Sequence, residues 1–238
     1  MNISDFALFS TDGLLMILRW FHFFFGVIWI GLLYYFNFVQ GAFFAETDAA
    51  TKSNAIQKLV PRALFWFRWA AMVTAATGLL YLGARGHRDG MGIYGTSYGV
   101  AILTGSAFAL TMWANVWFVI WPNQQVVIAN ATETAQGRPA LPNAAAAGAR
   151  ALMASRTNVL FSIPMLFFMG AASHLPMQIS ATANLGVVAA AVLVVIGLLQ
   201  LNALKGKKLG PMEKVVGVIH MGFILAFAVY FMIEALTK

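Results

Sequence analysis

Arg19 and His22 stand three residues apart in Arg19-Trp20-Phe21-His22-Phe23-Phe24-Phe25-Gly26-Val27-Ile28-Trp29-Ile30-Gly31, a run that is otherwise apolar, aromatic or glycine. A central arginine costs a membrane-inserted helix about 2.5–3.5 kcal/mol on insertion scales, so ionisable residues there need a partner or a ligand. Imidazole ligates haem iron, and two histidines from different helices hold a b-type haem without any cysteine. The histidines are His22, His87, His174 and His220. At a rise of 1.5 Å per residue, His22 falls roughly 6 Å to the outer side of the middle of its apolar run. His174 closes another run about 7 Å from that depth, and His220 is displaced by some 13 Å. His22 and His174 are the expected axial ligands, with His220 in reserve.

Gly26 lies one turn from His22 on the same helical face and Trp29 follows at i+7, giving a ligand, a gap and an aromatic wall. The simpler alternative is that Gly26 and Gly31 let two helices approach while His22 hydrogen-bonds a neighbour. Arg19 shares the face of His22 and suits a haem propionate or an anionic substrate. It equally suits Glu234, estimated at a similar depth, as a structural partner. The absence of cysteine excludes disulfides, iron–sulfur clusters and covalently attached haem c. No zinc, phosphate-loop, dinucleotide or Ser/His/Asp signature is present.

The elements that must hold these residues are membrane spans. Hydrophobic residues make up 61% of the 238 and charged ones 10%, far from the composition of soluble domains. Apolar runs near the 20-residue length of a span fall at residues 14–39, 63–83, 99–121, 157–173, 185–204 and 215–236. The fold expected is all-α: one integral membrane bundle of six helices over residues 1–238. Lys52, Lys58, Arg62, Arg138, Arg150, Arg156, Lys205, Lys207, Lys208 and Lys214 fall on one side and Arg85, Arg88 and Lys238 on the other. Ten against three puts the basic connections in the cytoplasm and both termini in the periplasm of a bacterial inner membrane. The first span follows a segment with Asp5 and Asp12 and no basic residue, and is too long for a signal-peptide core, so it reads as retained. The net charge of +7 is thus explained by topology and lipid, not by nucleic acid.

Within the connections, residues 41–61 suit either a short amphipathic interfacial helix or a solvated helical hairpin loop, residues 144–153 a surface helix before a span kinked at Pro164, and residues 132–148 a flexible link. Arg68, in Phe65-Trp66-Phe67-Arg68-Trp69, is expected to snorkel to the interface, with ligand binding as the alternative, and Asn115 to donate a hydrogen bond between helices.

Arg19-Trp20-Phe21-His22 with Gly26, Trp29-Ile30-Gly31 and Tyr35-Phe36 resembles the opening helix of the membrane domain of the bacterial membrane-bound, cytochrome-c-linked urate oxidase (urate hydroxylase) family. The resemblance continues through Phe65-Trp66-Phe67-Arg68-Trp69, Thr77-Gly78, Asn115-Val116-Trp117-Phe118 with Pro122 and Gln124, and Ser155-Arg156-Thr157-Asn158. It extends to Pro164 and Ser173-His174-Leu175-Pro176, covering most of residues 14–177, whereas the last two spans look generic. It implies a multispan inner-membrane protein, and in fuller members a periplasmic cytochrome c domain. These 238 residues contain no Cys-x-x-Cys-His, so the electron acceptor is expected to be a separate cytochrome c.

Two functions follow. One is a membrane oxidoreductase in which haem b, held by His22 and His174, relays electrons from a small substrate such as urate. The other is a haem-free structural or accessory subunit of a membrane respiratory complex. The scarcity of intramembrane carboxylates, with Glu234 alone, argues against a proton-coupled transporter.

Overall fold

Long apolar stretches uninterrupted by early proline become long helices because a backbone in hydrocarbon must satisfy its hydrogen bonds within the segment. The computed structural model describes residues 6–206 and 208–238; Asp5 and Lys207, noted above for their charges, lie outside these. Among the described residues, helices long and apolar enough to cross a membrane are α1 (Thr11–Glu46), α3 (Val60–Asp89), α4 (Ser97–Ala135), α5 (Ala144–His174), α6 (Leu185–Lys205) and α7 (Val215–Thr237). A short α2 (Ala49–Lys58) joins α1 to α3. The protein is a multi-pass all-α membrane bundle, and no strand occurs among the described residues.

Side-chain contacts fix the directions of the spans. His22 meets Thr74 and Asp12 meets Arg88, so α1 and α3 are antiparallel. Asn115 meets Asn158, setting α4 antiparallel to α5. Ile163 faces Gly222 and Phe167 packs on Phe227, so α5 and α7 run the same way. One end of the bundle therefore gathers the starts of α1, α4 and α6 with the ends of α3, α5 and α7. We call it the terminal end, and the other, with the lysine- and arginine-bearing connections, the basic end.

Helix α5 is the hub, in contact with α4, α6, α7 and part of α1. Its small and polar residues, including Ala151, Ala154, Thr157 and Ser162, allow this, since membrane helices associate by close packing rather than by hydrophobicity. Gly222 is required where α7 crosses it: a Cβ there would sit 2.3 Å from Ile163 Cδ1. Phe108 and Phe161, both fully buried, meet edge to face at 5.3 Å between α4 and α5. Helices α1 and α3 instead form their own hairpin, touching the hub mainly through the basic-end half of α1.

Several expected boundaries move. Residues 144–153 are not a separate surface helix but the first turns of α5, because an alanine-rich segment with no breaker before Pro164 propagates as one helix. Arg150 and Arg156, counted above with a connection, thus belong to α5, and Arg150 donates to the Leu204 carbonyl at the end of α6. The link after α4 shortens to residues 136–143. The short helix expected in residues 41–61 does form as α2, with Asp48 as N-cap accepting from the Thr51 backbone N–H at 2.9 Å.

Spans α1 and α4 outrun their apolar stretches, each through a π-helical turn: Tyr35–Gln40 in α1 and Val116–Ile120 in α4. Such turns insert a residue into the helical register and often mark functional positions.

Candidate functional site

His22 faces α3. Its Nδ1 lies 2.9 Å from the Thr74 carbonyl oxygen. That oxygen only accepts, so Nδ1 carries the hydrogen and Nε2 keeps its lone pair. Among the described residues Nε2 has no hydrogen-bond partner. The sequence permits this approach at one point: a Cβ on Gly78 would stand 3.0 Å from His22 Cε1 and 3.1 Å from Nδ1. Gly78 is therefore the slot that receives the imidazole. Gly26, the gap expected beside His22, faces the same helix, with Thr74 Cγ2 at 3.8 Å from a Cβ there. Trp29 is 1% exposed, a core residue whose Nε1 finds no partner among the described residues.

Arg19 does not meet Glu234. It donates to the Tyr81 hydroxyl and lies over the Tyr81 ring, 5.0 Å from the centroid. Glu234 is held by the Tyr230 hydroxyl on its own helix at 3.0 Å and by Lys238, just past the helix end, at 3.1 Å. Tyr81 was absent from the sequence expectation because the α1–α3 register that aligns it with Arg19 is a tertiary fact. Its signal was available only as an amphipathic side chain in span two.

The other histidines lie elsewhere. His174 is exposed as the last residue of α5, and His220 is exposed on α7. Among the described residues no hydrogen bond or ring contact joins His22 to either one. The Met177 N–H donates to Ser97 Oγ at 2.7 Å, and the Arg85 guanidinium lies 5.3 Å from the Tyr98 ring centroid. The end of α5 is thus level with Arg85 of α3, while His22 is level with Thr74 to Gly78. At 1.5 Å per residue this is about 10–16 Å along the bundle axis, more than the 7 Å expected from sequence. No three His, Asp or Glu side chains gather into a metal cage among the described residues.

Inside the basic-end half the helices are joined by neutral polar side chains, and the Glu133–Arg138 ion pair lies at the end of α4. Asn115 donates to Asn158 Oδ1 and to Gln200 Oε1, both at 2.9 Å, and Gln200 returns a bond to Asn115 Oδ1 at 2.6 Å. Asn158 donates to the Met112 carbonyl at 3.0 Å, closing a network across α4, α5 and α6. Asn37 donates to Ser155 Oγ at 2.8 Å, and the Tyr34 and Ser162 hydroxyls meet at 2.9 Å, tying α1 to α5. Arg68, rather than only reaching for the interface, stacks on Trp121 with its guanidinium 3.8 Å from the ring centroid. Of these, Asn115 and Arg68 were singled out in the sequence for their types; Asn37, Gln200 and Tyr34 carry no local signal and acquire meaning only when helices meet.

Fold and site together define a polytopic membrane protein with one half-buried histidine bonded to a backbone carbonyl and a neutral amide network beyond it. The profile of a family described as urate oxidase N-terminal matches residues 94–233. The chain belongs to that family. No curated protein and no solved structure matches it. The match takes in α6 and most of α7, spans that looked generic in the sequence, together with His174 and His220; it does not reach Arg19, His22, Gly26 or Trp29.

Proposed function

We propose that the protein is a membrane oxidoreductase of the urate oxidase type, with His22 as an axial ligand of a b-type haem and a separate cytochrome c as electron acceptor. The observation that carries this is the His22 Nδ1 bond to the Thr74 carbonyl. Ligating histidines commonly use the second nitrogen in this way, which fixes the tautomer and raises the basicity of the other. The residues suit the group at this position: a half-buried imidazole with a free Nε2, seated in a glycine slot, and Arg19 one turn away to balance a propionate or an anionic substrate. When bound, haem iron supplies one-electron chemistry whose potential depends on axial ligand and burial. His174 and His220, both exposed and away from His22, reach the second axial position only if the helices rearrange. The basic residues at one end support an inner-membrane orientation with the terminal end in the periplasm, where a cytochrome c would dock.

A reduced-minus-oxidised spectrum of purified protein is the test. Wild type is expected to show b-type Soret and alpha bands that vanish in His22→Ala, and whichever of His174→Ala or His220→Ala alters them names the second ligand. The separation of His22 from the other histidines favours the second reading, a haem-free accessory subunit of a membrane respiratory complex. A colourless preparation from haem-replete cells that co-purifies with stoichiometric oxidase subunits selects that reading and removes the first.

A further inference from the structure

Between the basic-end halves of α1, α3, α4 and α5 lies a cavity of about 150 Å³. An engineered cavity of that size, lined by hydrocarbon, holds a benzene ring. This one is different in its lining. Phe36 and Phe67 form one wall, their rings edge to face at 5.4 Å, and Asn37, Gln40, Gln124 and Ser155 contribute polar groups. No charged side chain among the described residues lines it. The π-turn of α1 supplies Phe36, Asn37 and Gln40, and the π-turn of α4 supplies Ile120, with Gln124 one turn on. Both irregular turns thus deliver residues to the same space.

The polar groups have a definite bias. Asn37 Nδ2 is committed to the Leu33 carbonyl at 2.9 Å and to Ser155 Oγ at 2.8 Å, so what remains to Asn37 is the acceptor Oδ1. Gln40 Oε1 is buried and has no partner among the described residues. A buried acceptor left unmatched costs on the order of 1–3 kcal/mol, so an occupant bearing hydrogen-bond donors is favoured. Ser155 accepts from Asn37 and retains its own O–H to donate. The lining therefore suits a flat, neutral ring that donates through N–H and accepts through C=O.

We infer that this cavity is a binding site for a small neutral cyclic amide, with Gln40 and Asn37 accepting from ring N–H groups and Ser155 donating to a ring carbonyl. The inference goes beyond the urate-oxidase-type reading: uracil and xanthine are such neutral rings, whereas an anionic substrate belongs with Arg19 at the terminal end. A quinone carries only acceptors and leaves Gln40 Oε1 unmatched, so it is expected to bind more weakly.

Equilibrium dialysis of the purified full chain with radiolabelled uracil, xanthine and benzoquinone tests this. Uracil and benzoquinone are single six-membered dicarbonyl rings that differ in having N–H donors. Uracil and xanthine are expected to bind, with benzoquinone at least tenfold weaker. Gln40→Leu is expected to lower cyclic-amide affinity at least tenfold while leaving thermal stability unchanged or raised, since it removes an unmatched buried amide. Gln124→Leu and Ser155→Ala report the same site should Gln40→Leu fail to fold. Benzoquinone binding as tightly as uracil, no cyclic-amide binding at all, or affinities indifferent to these folded variants overturns the inference. Dialysis needs no haem. A haem-free preparation that still binds xanthine through Gln40 removes the redox proposal and keeps the site, whereas intact haem bands without ring binding do the reverse.

Discussion

The two ends of the bundle handle polar groups in opposite ways. At the terminal end, charges and imidazole sit on the thin α1–α3 hairpin: Arg19 meets Tyr81, His22 a backbone carbonyl, and Asp12, Arg88, Asp89 and Arg85 form a chain of ion pairs. At the basic end, neutral carboxamides and hydroxyls are pooled across α1, α4, α5 and α6 into shared bonds around a cavity. Neutral amides cost less to bury than ions and both donate and accept, so they can be gathered where charges cannot. The proposed haem ligand relies on a single rigid partner and the proposed ring site on several adaptable ones, so the two proposals fall at different ends.

The contrast can be broken first at the hub that both ends share. Phe161→Ala deletes a fully buried ring in contact with Phe108 and is expected to cost about 3–5 kcal/mol, lowering the thermal midpoint and weakening both sites together. A loss confined to one site would show that the ends are coupled to the hub unequally.

A sharper separation comes from Gly78→Ala. The new methyl would press on the His22 ring at about 3 Å and is expected to cost about 1–3 kcal/mol as overpacking. Haem bands should shift or weaken while uracil dialysis stays at the wild-type value.

At the other end, Asn115→Ala removes the centre of the amide network between α4, α5 and α6. Interhelical hydrogen bonds in membranes average about 0.6 kcal/mol, so the melting shift is expected to be modest, about 1 kcal/mol for the network, with haem bands unchanged.

The smallest effect belongs to the connection. The Thr51 hydroxyl and backbone N–H hold the Asp48 carboxyl below the usual carboxylate range. A depressed value means that the cap contributes fully above the ordinary carboxylate pKa and is lost as pH falls through the lowered one. Hydrogen exchange at the Thr51 amide should therefore quicken only in acid, and Asp48→Ala should abolish that dependence.

Much of the architecture was legible in the residues. Six apolar runs gave six spans, since hydropathy and internal backbone bonding leave little alternative in hydrocarbon. Their ends were not, because Glu46, Ala135 and Ala144 lie in polar or alanine-rich segments whose helicity depends on neighbours and on π-turns that no periodicity announces. At the site, His22 and Arg19 stood out as anomalies of type, and their actual partners, the Thr74 carbonyl and Tyr81, did not. A backbone oxygen has no signature in sequence, and the expected Arg19–Glu234 pair assumed a neighbour that the helix order does not provide. The amide cavity was not legible as a cavity: Phe36, Phe67, Gln124 and Ser155 stood in the resembling motifs, but nothing in the sequence joined them to Asn37 and Gln40 until four helices closed around them.

The most direct test places two variants side by side in one spectroscopic measurement. Reduced-minus-oxidised spectra of wild type, His22→Ala and Gln40→Leu should show b-type bands in the first, none in the second and full bands in the third. A colourless wild type, or bands that survive His22→Ala, would contradict the assignment of electron chemistry to the α1–α3 hairpin.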